Sequence, residues 1–170
     1  MTRCLFVVAA AVVLSAGCSS SDMRKTFPVT GTVTINGAPA EPGVLVWLHP
    51  QFSENDKYPI HPQGQTTADG SFKITTYNTG DGAPEGEYVV TVEWPVRGPM
   101  SAHYGPDMLG GLFAHVDANK AKPEFKANVT RQGAQLTLNL TLTPQQKTAL
   151  ETAKKKAASA NQGGFNLTGE

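Results

Sequence analysis

The chain has 170 residues, in which 14 Lys and Arg balance 14 Asp and Glu, and 39% of the residues are hydrophobic. The balanced charge argues against a general nucleic-acid binder, which would carry a basic surface. The composition also excludes a coiled coil, a collagen-like repeat, a polytopic membrane protein and a disulfide scaffold. With 17 Gly, 12 Pro and only 16% charged residues, it favours short strands joined by turns.

The N-terminal residues have the features of an export signal. Arg3 supplies a positive start, residues 4–14 form an unbroken apolar run, and small residues precede Cys18. The run is too short to span a membrane, which takes about 20 apolar residues. We therefore predict a signal peptide over residues 1–17.

The end of this signal, Leu14-Ser15-Ala16-Gly17-Cys18, resembles the lipobox of bacterial lipoproteins, with Ser15 where that family usually has Leu. The resemblance implies cleavage before Cys18 and acylation of its thiol and its new amine. Because Cys4 leaves with the signal, the mature chain keeps one Cys and can form no internal disulfide. Residues 18–26 are then a lipidated Cys and a flexible tether. We expect an exported protein anchored to the cell membrane or outer membrane; simple secretion is the alternative.

Period-two alternation predicts the first strand, Val29–Ile35, and Asn36-Gly37 after it is a strong turn signal. Residues 44–48 form a short apolar run, which predicts a central strand that makes a hairpin with the first. Asp69-Gly70 predicts a second tight hairpin, between extended runs at residues 65–67 and 72–76.

The longest predicted strand covers residues 88–94, where Tyr88, Val90, Val92 and Trp94 alternate with Val89, Thr91 and Glu93, and Pro95 ends it. The segment 96–124 is the hardest to interpret. It contains either a short helix or strand within residues 108–116 or a surface loop with a function. Further strands are predicted at residues 125–130 and at residues 136–142, where Leu alternates with polar residues.

A helix is predicted to follow, because Thr143, Pro144 and Gln146 form a helix start. Its Ala- and Lys-rich sequence has a thin apolar face, essentially Leu150. We therefore predict that the helix projects from the domain and adds little stability. Residues 161–170 are predicted to be disordered.

These elements predict an all-β antiparallel sandwich. The segment from Val29 to Pro39 resembles the opening V-x-G-x-V-x-x-[ND]-G-x-P of carboxypeptidase-regulatory-like (transthyretin-like) domains. Residues 67–72 resemble their T-x-x-D-G-x-F hairpin, and residues 80–88 their G-A-P-x-G-x-Y segment. Residues 107–113 and the Leu-alternating last strand are similar to the end of small bacterial lipoproteins that carry this domain. Leu112 stands where these lipoproteins usually have a basic residue.

The resemblance implies a seven-stranded prealbumin/Ig-like sandwich over residues 27–142, preceded by the signal peptide and followed by the helix and tail of residues 143–170. Members of the family are mostly non-catalytic modules or uncharacterised lipoproteins. The sequence contains no HExxH, GxSxG, P-loop or dinucleotide motif. We therefore predict no catalytic residue, no cofactor and no metal site. The candidate binding residues lie in the 96–124 loop and are His103, Tyr104, Asp107, Phe113 and His115.

Three functions are consistent with these features. The first is a non-catalytic, membrane-tethered β-sandwich that presents loops to an envelope protein. The second is a small-ligand or carbohydrate-binding module in which Tyr58, Tyr104 and Phe113 form a stacking platform. The third, which we favour least, is an enzyme that uses the 96–124 loop.

Overall fold

The computed structural model describes residues 23–52, 59–97 and 104–162. The predicted signal peptide and Cys18 lie outside these residues. The described part consists mostly of β-strands in antiparallel sheets and ends in a helix, which confirms the all-β prediction.

Numbered in chain order, the strands are β1 (Thr26–Phe27), β2 (Val29–Ile35), β3 (Ala38–Pro39), β4 (Leu45–Pro50), β5 (Gln63–Gln65), β6 (Ser71–Lys73), β7 (Ala83–Pro84), β8 (Gly86–Glu93), β9 (Pro95–Arg97), β10 (Tyr104–Asp107), β11 (Lys126–Val129) and β12 (Ala134–Leu140). The helices are α1 (Val116–Lys120), a 3-10 turn (Pro123–Phe125) and α2 (Pro144–Gln162).

Two larger sheets form the body of the domain. Sheet I has the strand order β11-β8-β4-β5, and all its neighbours are antiparallel. In sheet II, β2 lies between β12 on one side and the short strands β3 and β6 on the other. Strand β12 runs parallel to β2, which departs from the fully antiparallel prediction. The short pairs β1-β7 and β9-β10 lie outside these two sheets.

The core lies between the inner faces of the two sheets. Sheet II contributes side chains such as Val29, Val33 and Leu138, and sheet I contributes Val46 and Val90 among others; each is at most 1% exposed. Burying such aliphatic side chains stabilises the fold by about 1.5–3 kcal/mol each. The period-two alternation of β2 and β12 therefore identified their core-facing residues correctly.

The first predicted turn forms, but it does not make the predicted hairpin. Asn36 and Gly37 both adopt positive φ, at 52° and 82°, which suits a tight turn between two strands. The turn pairs β2 with β3, however, whereas β4 belongs to sheet I between β8 and β5. Residues between β3 and β4 carry the chain across to the other sheet, so the hairpin of residues 29–35 with 44–48 was wrong.

The turn at Asp69-Gly70 also forms. Hydrogen bonds from the side chains of Thr67 and Ser71 lower the pKa of Asp69 to about 2. The turn connects β5 of sheet I to β6 of sheet II, and only an isolated bridge pairs the two arms. It is thus a link between the sheets and not a regular hairpin.

Strand β8 is buried on both faces. Val89 and Thr91, on the side opposite Val90 and Val92, are each 2% exposed. Helix α1 lies against this strand, where the Asn119 side chain donates to the backbone oxygen of Val90 at 3.0 Å. The sequence of β8 alternates less clearly than that of β12 because it has apolar residues on both sides.

The C-terminal helix begins as predicted. Gln146 Oε1 accepts a hydrogen bond from the Thr143 backbone N–H at 2.8 Å, and Thr143 Oγ1 accepts one from the Gln146 N–H at 3.4 Å. This is a capping box. The helix continues to Gln162, so the first two residues of the predicted disordered tail are helical.

The prediction that α2 projects from the domain was wrong. Leu150 is 4% exposed and packs on the core. Lys154 Nζ lies 2.6 Å from Glu41 Oε1 and 4.9 Å from the centre of the Trp94 ring. The apolar stripe is thin, but it meets a complementary surface that the sequence of the helix does not reveal.

Candidate functional site

Asp107, the acidic residue of the predicted binding loop, holds the loop together. Its Oδ1 accepts hydrogen bonds from the backbone N–H groups of Trp94 at 2.7 Å and Leu109 at 3.0 Å. Its Oδ2 accepts one from the Gly111 N–H at 2.8 Å. A carboxylate engaged by three backbone donors is a structural anchor that ties the 107–111 turn to the end of β8.

Phe113 is also structural. Its ring stacks on Phe125 with centroids 5.7 Å apart and an interplanar angle of 23°. Its backbone oxygen accepts hydrogen bonds from the Asn119 side chain and from the Val92 N–H. Phe113 therefore contributes to the domain interior and not to an exposed stacking platform, which corrects the predicted role of this ring.

Of the other predicted loop residues, the structure describes the position of His115 and the strand to which Tyr104 belongs. His115 is exposed and immediately precedes α1. His103 and Tyr58 lie outside the described residues, and Tyr104 is described as the first residue of β10, paired with Arg97. The segment 96–124, interpreted as a loop or a short element, contains β9, β10, α1 and the 3-10 turn among its described residues.

A partly buried polar pair lies on the outer face of sheet I. His49 Nε2 is 2.8 Å from Thr91 Oγ1, and the two residues sit on the neighbouring strands β4 and β8. Burial lowers the pKa of His49 below its usual range, and the charge of nearby His61 lowers it further. Both effects favour the neutral form of the imidazole.

A concave site with a volume of about 450 Å³ lies at the β11 side of sheet I. This size is within the range of small-molecule sites in proteins. Its lining residues come from the end of β4, from β8, from the end of α1 and from β11, and they are Gln51, Glu87, Tyr88, Val89, Lys120, Lys126, Ala127 and Asn128. We call it the sheet I cleft.

The pairing of sheet I explains how these distant segments meet. The Gln51 N–H donates to the Glu87 backbone oxygen at 2.9 Å, which brings the end of β4 beside β8. Asn128 of β11 is in register with Glu87, so their side chains share one face. The side chain of Asn119, 0% exposed, fastens α1 to β8 and thereby brings Lys120 to the cleft.

The cleft combines an apolar floor with a polar rim. Val89, which faces outward from β8 opposite Lys126, is buried beneath it, whereas Lys120, Lys126 and Asn128 are exposed at its edge. The rim offers ammonium and amide donors together with the Glu87 carboxylate as an acceptor. Such a surface can orient a polar ligand through several hydrogen bonds.

Sequence reasoning missed this cleft: Glu87 and Tyr88 belong to the motif at residues 80–88, but that motif does not point to Gln51, to Lys120 or to β11. The one local signal is the alternation in β11, where Lys126 and Asn128 are exposed and Ala127 and Val129 are buried. That alternation shows which residues face outward, but not which strand lies beside them.

Within residues 23–52, 59–97 and 104–162, no group of three or more His, Cys, Asp or Glu is placed to hold a metal ion. No helix of this part of the chain is long and apolar enough to cross a membrane.

No protein-family model matches the chain, and no curated protein matches it. Among solved structures, it is similar to a DUF3823 family protein from Parabacteroides merdae, with 19% identity over 72% of this chain and 48% of that one, and a TM-score of 0.36. It is also similar to the dioxygenase domain of a dioxygenase carbohydrate-binding protein fusion from Streptomyces sp. SirexAA-E, with 16% identity over 73% of this chain and 83% of that one, and a TM-score of 0.33. The chain spans about half the length of the first of these proteins. Neither similarity assigns it to a family.

Proposed function

We propose that this protein is a non-catalytic binding module of the bacterial cell envelope, held at a membrane by an acylated Cys18. In this proposal the sheet I cleft is the binding surface, and a glycan is the ligand class it fits best. The lipobox-like sequence before Cys18 supports the tether, and the cleft supports the binding role.

The mixed donors and acceptors around the cleft carry the proposal. A sugar hydroxyl both donates and accepts hydrogen bonds, so it is suited to a rim that has both kinds of group. Glu87 accepts, the Lys120 and Lys126 ammonium groups donate, and the Asn128 amide does both.

Calorimetric titration of the full chain with neutral oligosaccharides of glucose and of N-acetylglucosamine tests this proposal. We expect Asn128→Ala and Glu87→Ala each to weaken binding about tenfold, because each variant loses a net hydrogen bond worth about 1–1.5 kcal/mol. The matched control is Asn78→Ala, which removes an exposed amide in a turn outside the cleft.

Two outcomes would count against a glycan site. One is the absence of binding to every sugar, and the other is an equal loss of affinity in the Asn78→Ala control. Capture of an envelope protein that depends on Asn128 but not on Asn78 would keep the binding role of the cleft and replace the glycan with a protein partner.

A further inference from the structure

Strand β12 has an open edge whose backbone groups are well defined. The Ala134 N–H donates to the Pro28 oxygen at 3.0 Å, and the Leu140 oxygen accepts from the Asn36 N–H at 2.8 Å. The parallel register between these two bonds is continuous. Every second residue from Ala134 to Leu140 therefore directs its backbone N–H and C=O groups toward β2.

The three intervening residues, Gln135, Thr137 and Asn139, direct their N–H and C=O groups away from β2. Among the described residues, no strand pairs with this side of β12. Their side chains are exposed on the outer face of sheet II. The edge thus presents three donors and three acceptors in one line.

The other outer strands of the two sheets are protected in ways that β12 is not. Strands β3, β5 and β6 have two or three residues, and β11 has four and carries the exposed Lys126. Strand β12 has seven residues with no charge, no proline and no shift in its register. Short length, charge, proline and bulges are the usual means by which proteins block edge-to-edge pairing.

We propose that β12 pairs antiparallel with β12 of a second copy of this chain, around a two-fold axis at Thr137. The three outward-facing side chains, at Gln135, Thr137 and Asn139, are an amide, a hydroxyl and an amide, so their order is symmetric about Thr137. In the pair Thr137 lies opposite Thr137 of the second copy, and Gln135 lies opposite Asn139. This inference does not depend on the proposed ligand of the sheet I cleft.

The backbone geometry matches this axis. In an antiparallel ladder, hydrogen-bonded pairs recur at every second residue and exchange two bonds each. Gln135, Thr137 and Asn139 are the residues whose groups point outward, so pairing around Thr137 satisfies all of them in both copies. A register centred on Leu136 or Leu138 would pair only two of the three with each other and would place the third opposite Gly133 or Thr141, beyond the ends of β12.

The side chains are compatible with the same register. Opposed Thr residues are a favourable cross-strand pair, and opposed amides can exchange hydrogen bonds because each has donors and an acceptor. Asn139 Oδ1 already accepts a hydrogen bond from Thr34 Oγ1 at 2.8 Å, which orients its amide nitrogen for donation to the opposing Gln135. The partner is therefore another copy of this edge, in preference to an unrelated strand.

Cysteine cross-linking of the full chain tests the axis. In a hydrogen-bonded pair the two Cα atoms are about 5.5 Å apart, within disulfide reach. We expect Thr137→Cys to form a covalent dimer on mild oxidation. Gln135→Cys alone should give no more covalent dimer than the unsubstituted chain, which is the control for cross-links through Cys4 and Cys18. A mixture of the Gln135→Cys and Asn139→Cys variants should form the covalent dimer.

Solution mass under reducing conditions provides the second measurement. Thr137→Lys places two like charges at the axis and should convert the dimer to a monomer. Thr32→Lys is the matched control, because Thr32 is exposed, in register with Thr137, and one strand away from the edge. A monomeric unsubstituted chain, or equal cross-linking at positions 135 and 137, would overturn the proposal.

Discussion

Asp107 shows how one residue can be predicted for one role and found in another. An acidic residue in a Gly-rich segment between two His is a reasonable candidate for ligand binding. In the structure its two oxygens are engaged by three backbone N–H groups, so the carboxylate organises the chain around itself. Hydrogen bonds to a charged acceptor are stronger than those between neutral groups.

We predict that Asp107→Ala destabilises the domain by about 2–3 kcal/mol, because it leaves three backbone donors without their acceptor. Thermal unfolding should show a fall of roughly 8–12 °C for a domain of this size. Asp107→Asn retains one oxygen for the Trp94 and Leu109 donors and should have an intermediate melting temperature. A ligand-binding defect without loss of stability would restore the original functional interpretation.

Gly31 is a second residue whose role depends on its neighbours. It belongs to the V-x-G-x-V opening and does not lie in a turn. A Cβ at this position would lie 2.5 Å from the Leu136 backbone oxygen and 2.5 Å from the Phe72 ring. The glycine is required because β12 and β6 approach β2 closely from either side at this point.

At the level of secondary structure elements, α2 shows that a weakly amphipathic helix can still dock. The helix buries one large apolar side chain, Leu150, and adds the Lys154 contacts to Glu41 and Trp94. An exposed ion pair contributes at most about 1 kcal/mol. The burial of Leu150 is therefore the main source of stability in the docking of α2.

We predict that Leu150→Ala lowers the free energy of unfolding by about 2–3 kcal/mol, since it removes buried methyl groups and leaves a cavity against the core. Chemical denaturation of the full chain measures this change. Thr152→Ala, at an exposed position of the same helix, is the control and should be neutral or slightly stabilising. Equal stability of Leu150→Ala and the unsubstituted chain would instead support a projecting helix.

At the level of the whole molecule, the proposed functions belong to different regions. The sheet I cleft would bind ligand, the β12 edge belongs to sheet II, and the proposed anchor precedes Met23. Because the cleft and the edge share no residue, ligand binding and dimer formation can occur together. Two copies on one membrane would also be held at a high local concentration.

We predict that replacing Cys18 with Ala abolishes acylation and moves any processed protein from the membrane fraction to the soluble fraction. Stable anchoring requires more than one acyl chain, so the loss of the lipidated residue should release the protein. Fractionation together with intact-mass analysis of the native protein tests this. A chain cut before Cys18 that carries no acyl mass would show simple secretion.

Several parts of the fold could be predicted from the sequence because they depend on neighbouring residues. The alternation of β2 and β12 identified their buried faces, and Asn36-Gly37 identified its turn. Thr143 and Gln146 identified the start of α2. Each of these patterns acts over a few residues, so a single segment contains the necessary information.

The candidate site could not be predicted in the same way. The sheet I cleft combines residues from four separate segments, and no short spacing connects Gln51 with Lys120 or Asn128. Conversely, Asp107 and Phe113 had chemically suitable side chains but are engaged by groups distant in the sequence or contributed by the backbone. Whether a polar side chain is available to a ligand depends on which donors the fold places around it.

The sequence by itself determined the all-β character, most of the strand positions and the capped start of the last helix. Only the tertiary structure decided that β12 lies parallel to β2, that β4 crosses to the other sheet, and that α2 packs on the domain. Local backbone preference and period-two burial are set by adjacent residues. Strand pairing, burial of a second face and helix docking depend on surfaces from distant segments, which become complementary only when the chain has folded.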